Sequence, residues 1–353
     1  MKVWILIFVC MFSMPLLVAV LHFRMRKGQI LKIRQDYVKN ARYFGRSFSA
    51  LVEKALPEMK NGMIMLSRQE KVLETDGKQE FVQPEIEDLV IARNTILCPR
   101  QGDLYFKKEI YSEKDALFVK ENIRLRAVYS KKRLVFGNKI RLLRWADAEY
   151  AVAVYDECDL GERVSSGEQL VIGFDNIFHS LYAPVIRLGQ RPEEPDRFME
   201  ERDPRIFRMP VMNSHEYNRH YIDDDMVTES GTVPYTIISR GDIKVIEDII
   251  LQGDIHSDGA VRIMENASVL GNIFAENDIL LEKNATVLGN IFTQGNIIFE
   301  EDASAGQPDK IISVVARGTI TFYGGNNIYG YVVSEGGGKI LKSDREVLGE
   351  YCF

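Results

Sequence analysis

Every sixth residue from Ile237 to Ala303 is apolar: Ile237, Ile243, Ile249, Ile255, Val261, Ala267, Ile273, Ile279, Ala285, Ile291, Ile297 and Ala303. In a chain with 46% hydrophobic residues, such a run has a probability of roughly one in ten thousand per register. A second apolar position follows two residues later, at Val245, Leu251, Ile263, Val269, Ala275, Leu281, Val287 and Phe299. An apolar pair at i and i+2 is one short strand with a single buried face. Three such strands form one eighteen-residue turn, so the pattern predicts an all-β, three-sided parallel β-helix.

Longer markers keep the same period. Gly253, Gly271 and Gly289 recur at eighteen residues, as do the turn-like Asn266-Ala267-Ser268, Asn284-Ala285-Thr286 and Asp302-Ala303-Ser304. Glycine and asparagine suit corners that need a left-handed backbone. An insertion around Ala305 to Lys310 then lengthens one step to 23, giving the marker series Ile237, Ile255, Ile273, Ile291, Val314 and Val332. The inward set includes Ile255, Val261, Ile263, Val269, Ile273, Ile279, Leu281, Val287, Ile291, Ile297 and Phe299.

A second stack runs through the middle of the chain. The pairs Leu134/Phe136, Ile140/Leu142, Ala146/Ala148, Val152/Val154, Cys158/Leu160, Val164/Ser166 and Leu170/Ile172 are six apart without a break. Less regular pairs at Leu104/Phe106, Leu117/Val119, Ile123/Leu125 and Tyr182/Pro184 extend it over about 104–190. Residues 191–234 between the stacks are rich in Pro and charge and read as a linker.

The chain begins differently. Val3 to Phe23 contains no charged residue, enough at ~1.5 Å per residue to span a ~30 Å hydrocarbon core. A cleaved signal peptide is the competing reading, but no small-x-small site follows and Arg24, Arg26 and Lys27 come at once. Residues 1–60 carry 11 Lys and Arg against 3 acids, which leaves 34 basic and 48 acidic residues beyond. The basic flank lies C-terminal to the span, so the positive-inside rule places the bulk of the chain in the cytoplasm. The acidic bulk argues against nucleic-acid binding. After the span, Ile30, Ile33, Tyr37, Ala41, Phe44, Phe48, Leu51 and Ala55 recur at helical spacing beside basic residues. The resulting amphipathic helix has three readings: lying on an anionic membrane surface, packing against a partner helix, or packing on its own soluble domain.

The expected organisation is a transmembrane helix over 1–23, a basic juxtamembrane helix over 24–60 and unassigned short β segments over 61–103. A first stack over 104–190, the linker over 191–234, the main stack over 235–345 and a tail over 346–353 complete it.

Catalytic motifs are missing. His215-Glu216-Tyr217-Asn218-Arg219-His220 spaces its histidines five apart, where a zincin helix needs four. Gly336-Gly337-Gly338-Lys339-Ile340 lacks both the spacing and the hydroxyl residue of a P-loop. The four cysteines show no paired spacing. No catalytic, cofactor-binding or metal-ligating set is expected. A hexapeptide acyltransferase or a polysaccharide-active or carbohydrate-binding β-helix is the alternative; it would need a histidine base or converging acids and aromatics. His256 and His179 are the histidines in the two stacks, and His256 falls between inward positions 255 and 257.

With its Gly-Asp-Ile-His-Ser-Asp-Gly and repeated Val-Leu-Gly-Asn-Ile-Phe, the segment 249–303 resembles a bactofilin domain, over about 235–345. Bactofilins are polymer-forming bacterial cytoskeletal proteins. The resemblance implies a right-handed β-helix that assembles end to end without nucleotide, often on the inner face of the membrane. This chain departs from the short form of the family by its membrane span, second stack and acidic linker. The expected function is a cytoplasm-facing scaffold at the bacterial inner membrane that self-associates and localises partner proteins. The C-terminal turn shows no cap in the sequence, and the end rungs of a β-helix carry unpaired backbone groups, so self-association is expected there.

Overall fold

The computed structural model describes residues 40–99, 102–192, 219–222, 226–227 and 232–342 of the 353-residue chain. The expected membrane span and the C-terminal tail lie outside the described residues, as does most of the linker. Among the described residues, no helix is long and apolar enough to cross a membrane. All the strands belong to the unit that begins at Arg42.

In the second solenoid, three strands make each turn. Ile255–Ser257, Val261–Ile263 and Ser268–Val269 pair in parallel with Ile273–Ala275, Ile279–Leu281 and Thr286–Val287, eighteen residues on. The same marker residues are direct partners down one face: Ile237 with Ile255, Ile273 with Ile291, and Val314 with Val332. The longer step is also a pairing, Ile291 with Val314, with the extra residues looped out after Ser304–Ala305. Branched aliphatic residues recur because each inward side chain stacks on the same position of adjacent turns, on a pleated surface that favours them.

Corners are built from two devices. Asp248, Asn266, Asn284 and Asp302 adopt the left-handed backbone, with φ of 60, 59, 58 and 60°. Gly253, Gly271 and Gly289 are not left-handed, which corrects the expectation that they serve the turn conformation. Close approach requires them: a Cβ on Gly271 would overlap the carbonyl of Gly253, and one on Gly289 that of Gly271.

The first solenoid starts earlier than expected, since Gln69–Phe81 and Leu89–Pro99 already pair in parallel. The described part of the unassigned segment, Met63 to Pro99, therefore forms its opening rungs, begun by an antiparallel hairpin from Met63–Met65. The seven unbroken pairs from Leu134 to Ile172 are all buried. Two irregular pairs are off by one residue. Ala116 and Phe118 point inward while Val119 is exposed, and Leu181 and Ala183 are buried where Tyr182 and Pro184 were expected. The ruler slips there because the spacing does: Ala116 to Ile123 is a long step, and Ile123 to Val128 a short one.

The linker is also shorter than expected. Arg219–Ile222, Met226–Val227 and Thr232–Val233 pair with Thr236–Ser239, Ile243–Val245 and Ile250–Leu251, adding a turn at the start of the second solenoid.

The C-terminal turn is not open, contrary to expectation. Its strand Asn326–Ile340 runs antiparallel to Asn176–Leu188, the last strand of the first solenoid, with partners from Asn176/Ile340 through Leu181/Val332 to Leu188/Asn326. The two solenoids thus join C-terminal rung to C-terminal rung, and their interiors form one continuous core. Matching asparagines begin the two joined strands. Asn176 and Asn326 are both fully buried, and each donates its side-chain amide to backbone carbonyls of an earlier rung.

Candidate interaction surface

All eleven expected core residues, from Ile255 to Phe299, point inward and are fully buried. They fill the solenoid and leave no room for chemistry there. What the molecule offers a partner therefore lies on its outer faces.

One outer face of the first solenoid is occupied. Helix α1, Tyr43–Ala55, lies against the column Ile91, Tyr111, Tyr129 and its neighbours Leu89, Ala127 and Trp145. The buried side of α1 is Gly45, Ser49, Val52 and Ala55, which corrects the expected stripe: Phe44 and Leu51 stay 40% and 56% exposed. The reason is the ion pair that anchors the helix. The Arg42 guanidinium donates to both carboxylate oxygens of Asp147 at 2.8 and 3.0 Å and to Glu149 at 2.9 Å. Gly45 is needed above it, because a Cβ there would strike the Asp147 side chain. At the other end Glu53 accepts from Tyr111 at 3.2 Å and pairs with Lys131 at 2.9 Å. Of the three readings open for this helix, residues 43–55 take the last, packing on their own domain.

Charge in this groove is held by burial and pairing. Burial pushes the Asp147 carboxyl above its ordinary range, although Arg42 and Ser165 both donate to it. Burial acts the same way on Glu149, but hydrogen bonds from Arg42 and Tyr129 outweigh it and hold that carboxyl below the usual value.

The corresponding face of the second solenoid is uncovered by any described element. Ile238, His256, Phe274, Phe292, Val315 and Val333 form one outward column, one residue per turn. The rings of His256 and Phe274 stack at 4.8 Å and 16°, and those of Phe274 and Phe292 at 5.4 Å and 9°. A shallow cleft of about 450 Å³ runs along them, bordered by Asp258, Glu276, Gln294, Arg317 and Glu335. Stacked rings present their edges outward and spend their faces on each other, so the column is a poor platform for a sugar ring and a good apolar strip for a protein.

Polar ladders brace the same face. The Asp254 carboxylate accepts from the backbone and side-chain amides of Asn272, at 2.7 and 2.9 Å, and Asn272 accepts likewise from Asn290. Sequence reasoning saw the Gly-polar-Ile triplet but missed this role. The eighteen-residue recurrence of Asp254, Asn272 and Asn290 was the signal.

Among the described residues, no group of His, Cys, Asp and Glu could hold a metal ion. His179 is exposed, and His256 faces outward in the ladder. Burial pushes the Cys158 thiol up to about 12, and its sulfur contacts the Gly137 carbonyl at 3.1 Å, so it is a core residue. No family model, no curated protein and no solved structure matches this chain.

Proposed function

We propose that this chain is a non-enzymatic, self-associating scaffold of the bactofilin type. Its N-terminal segment holds it at the bacterial inner membrane, with the bulk of the chain in the cytoplasm to localise partner proteins. The observation that carries the reading is the strand Arg219–Ile222, which among the described residues pairs on one side only, with Thr236–Ser239. A strand edge of that kind is a template for another chain.

The rest of the rod limits how assembly proceeds. With the C-terminal rungs joined internally, the other end rung among the described residues is Gln69–Phe81, which is protected: its first residues, Gln69 to Lys71, pair with Met63–Met65. That strand carries Glu70, Lys71, Glu74, Asp76, Lys78 and Glu80, and its register breaks between Thr75 and Gly77. Charges and a bulge are what an edge needs to resist pairing. One joinable end yields a closed pair of rods, and an extended polymer requires a further contact.

The test uses the full chain in detergent, because a fragment of 235–353 would expose the buried C-terminal edge artificially. Light scattering and electron microscopy should show assemblies larger than one chain, and a fluorescent fusion should form foci or lines at the membrane. A monomer at every concentration, spread evenly in cells, would remove the scaffold reading.

A further inference from the structure

The helix-covered face and the ladder face are one surface. At the junction Ser180 stands opposite Val333 and Tyr182 opposite Tyr331, with the tyrosine rings 4.5 Å apart. The column Ala127, Trp145 and Arg163 therefore leads through Ser180 to Val333, Val315, Phe292, Phe274 and His256.

Counting rungs outward from the junction gives a match. On the first solenoid, α1 packs over the third, fourth and fifth rungs, at Trp145, Tyr129 and Tyr111. On the second, the third, fourth and fifth rungs carry Phe292, Phe274 and His256. A ridge and an apolar strip thus lie at equal distances on either side of the junction. The ridge has its own unburied apolar residues, Phe44 and Leu51, one stripe of the helix seven residues apart.

We infer that a second copy of this chain docks on this surface, face to face and antiparallel, about a two-fold axis through the junction. That axis sets each copy's α1 on the other's ring column, so one contact is made twice. Phe44 and Leu51 cover the ring edges, including Phe274, which is 36% exposed. A single helix-on-strip contact is smaller than the ~1,000 Å² of a stable interface, and the duplication supplies the remainder. This contact deepens the scaffold reading by naming a lateral partner, but it does not use the Arg219–Ile222 edge.

Cross-linking of full chains in detergent tests it. Leu51→Cys and Phe274→Cys proteins are mixed and oxidised, with the unsubstituted protein as the background for the native thiols. A disulfide between 51 and 274, identified by mass spectrometry, is expected from the mixture and from neither variant alone. Phe274→Glu, at an exposed site, should keep its circular dichroism and weaken pairing about tenfold or more by sedimentation. Absence of the 51–274 link in folded protein overturns the inference, as does a 274–274 link, which would mean ladder on ladder. If assemblies persist without the 51–274 link, the lateral contact falls and the scaffold stands. A strict monomer sinks both.

Discussion

Leu181 stands opposite Val332 where the last strand of one solenoid meets the last strand of the other, running antiparallel. Both side chains are fully buried, so the joint is made by core packing as well as by backbone pairing. Each solenoid removes the edge that the other would leave exposed.

The joint has a point where side-chain volume is already spent. Phe178 fills the space beside Gly338, and a Cβ there would overlap its ring. Gly338→Val should destabilise the rod by about 1–3 kcal/mol through overpacking. Lower thermal stability is expected, with faster hydrogen exchange confined to Asn176–Leu188 and Asn326–Ile340. Unchanged exchange in both strands would show that the joint tolerates the extra volume.

Arg42 holds α1 to the first solenoid. Its guanidinium is 4% exposed and its partner Asp147 is 1% exposed, so Arg42→Ala leaves a buried carboxylate without its cation. A cost of about 3–5 kcal/mol is expected. Trp145, 7% exposed and 5.7 Å from the Phe48 ring, reports the event. Its fluorescence should shift to the red as α1 lifts, before the solenoid itself melts.

Gly289 and Asn284 separate the two corner devices. Gly289→Ala should cost about 1–3 kcal/mol, since the new methyl meets the backbone of the preceding turn. Asn284→Gly should change stability by only a few tenths of a kcal/mol, because glycine accepts the left-handed φ of 58°. Urea titrations of the two variants measure the contrast, and equal losses would contradict it.

Much of this was legible in the sequence wherever the period was strict. From Ile237 to Ala303 a buried residue must recur every six, because each stacks on its copy a turn away, and pattern therefore equals position. The ruler failed at Leu117 and Tyr182, where corners gain or lose a residue and a one-residue slip reverses the face. Phe48 and Ala55 of the expected α1 stripe pack on the solenoid, but Phe44 and Leu51 do not, for another reason: a buried ion pair between Arg42 and Asp147, 105 residues apart, sets the rotation of the helix. The joint was invisible because antiparallel pairing between Asn176–Leu188 and Asn326–Ile340 leaves no periodic mark. The ring column could be read only in part, as a histidine between two inward positions; its uncovered state depends on what packs nearby.

Acid should weaken the first solenoid, and the sign follows from its carboxylates. Burial raises the pKa of Asp115, but Arg133 outweighs it with donors at 3.1 and 2.8 Å, so the folded value is depressed. Glu149 is depressed likewise by Arg42 and Tyr129. A depressed folded pKa means that the unfolded chain binds the proton first. The stability these groups contribute is present above the ordinary carboxylate range near ~4 and is lost as pH falls through the folded values. Asp147 acts in the opposite direction, because burial raises its folded pKa and protonation there opposes the loss. Glu53, Glu70 and Glu87 of the same solenoid are depressed as well, by Lys131, by Lys108 and Arg68, and by Lys107, so five depressed groups against one raised group give a net decline in melting temperature as pH falls below about 5. Asp115→Asn removes one of the depressed groups together with its charge. Its melting temperature should start lower at neutral pH and fall less steeply on acidification, and a slope as steep as that of the native protein would exclude Asp115 as a source of the acid sensitivity.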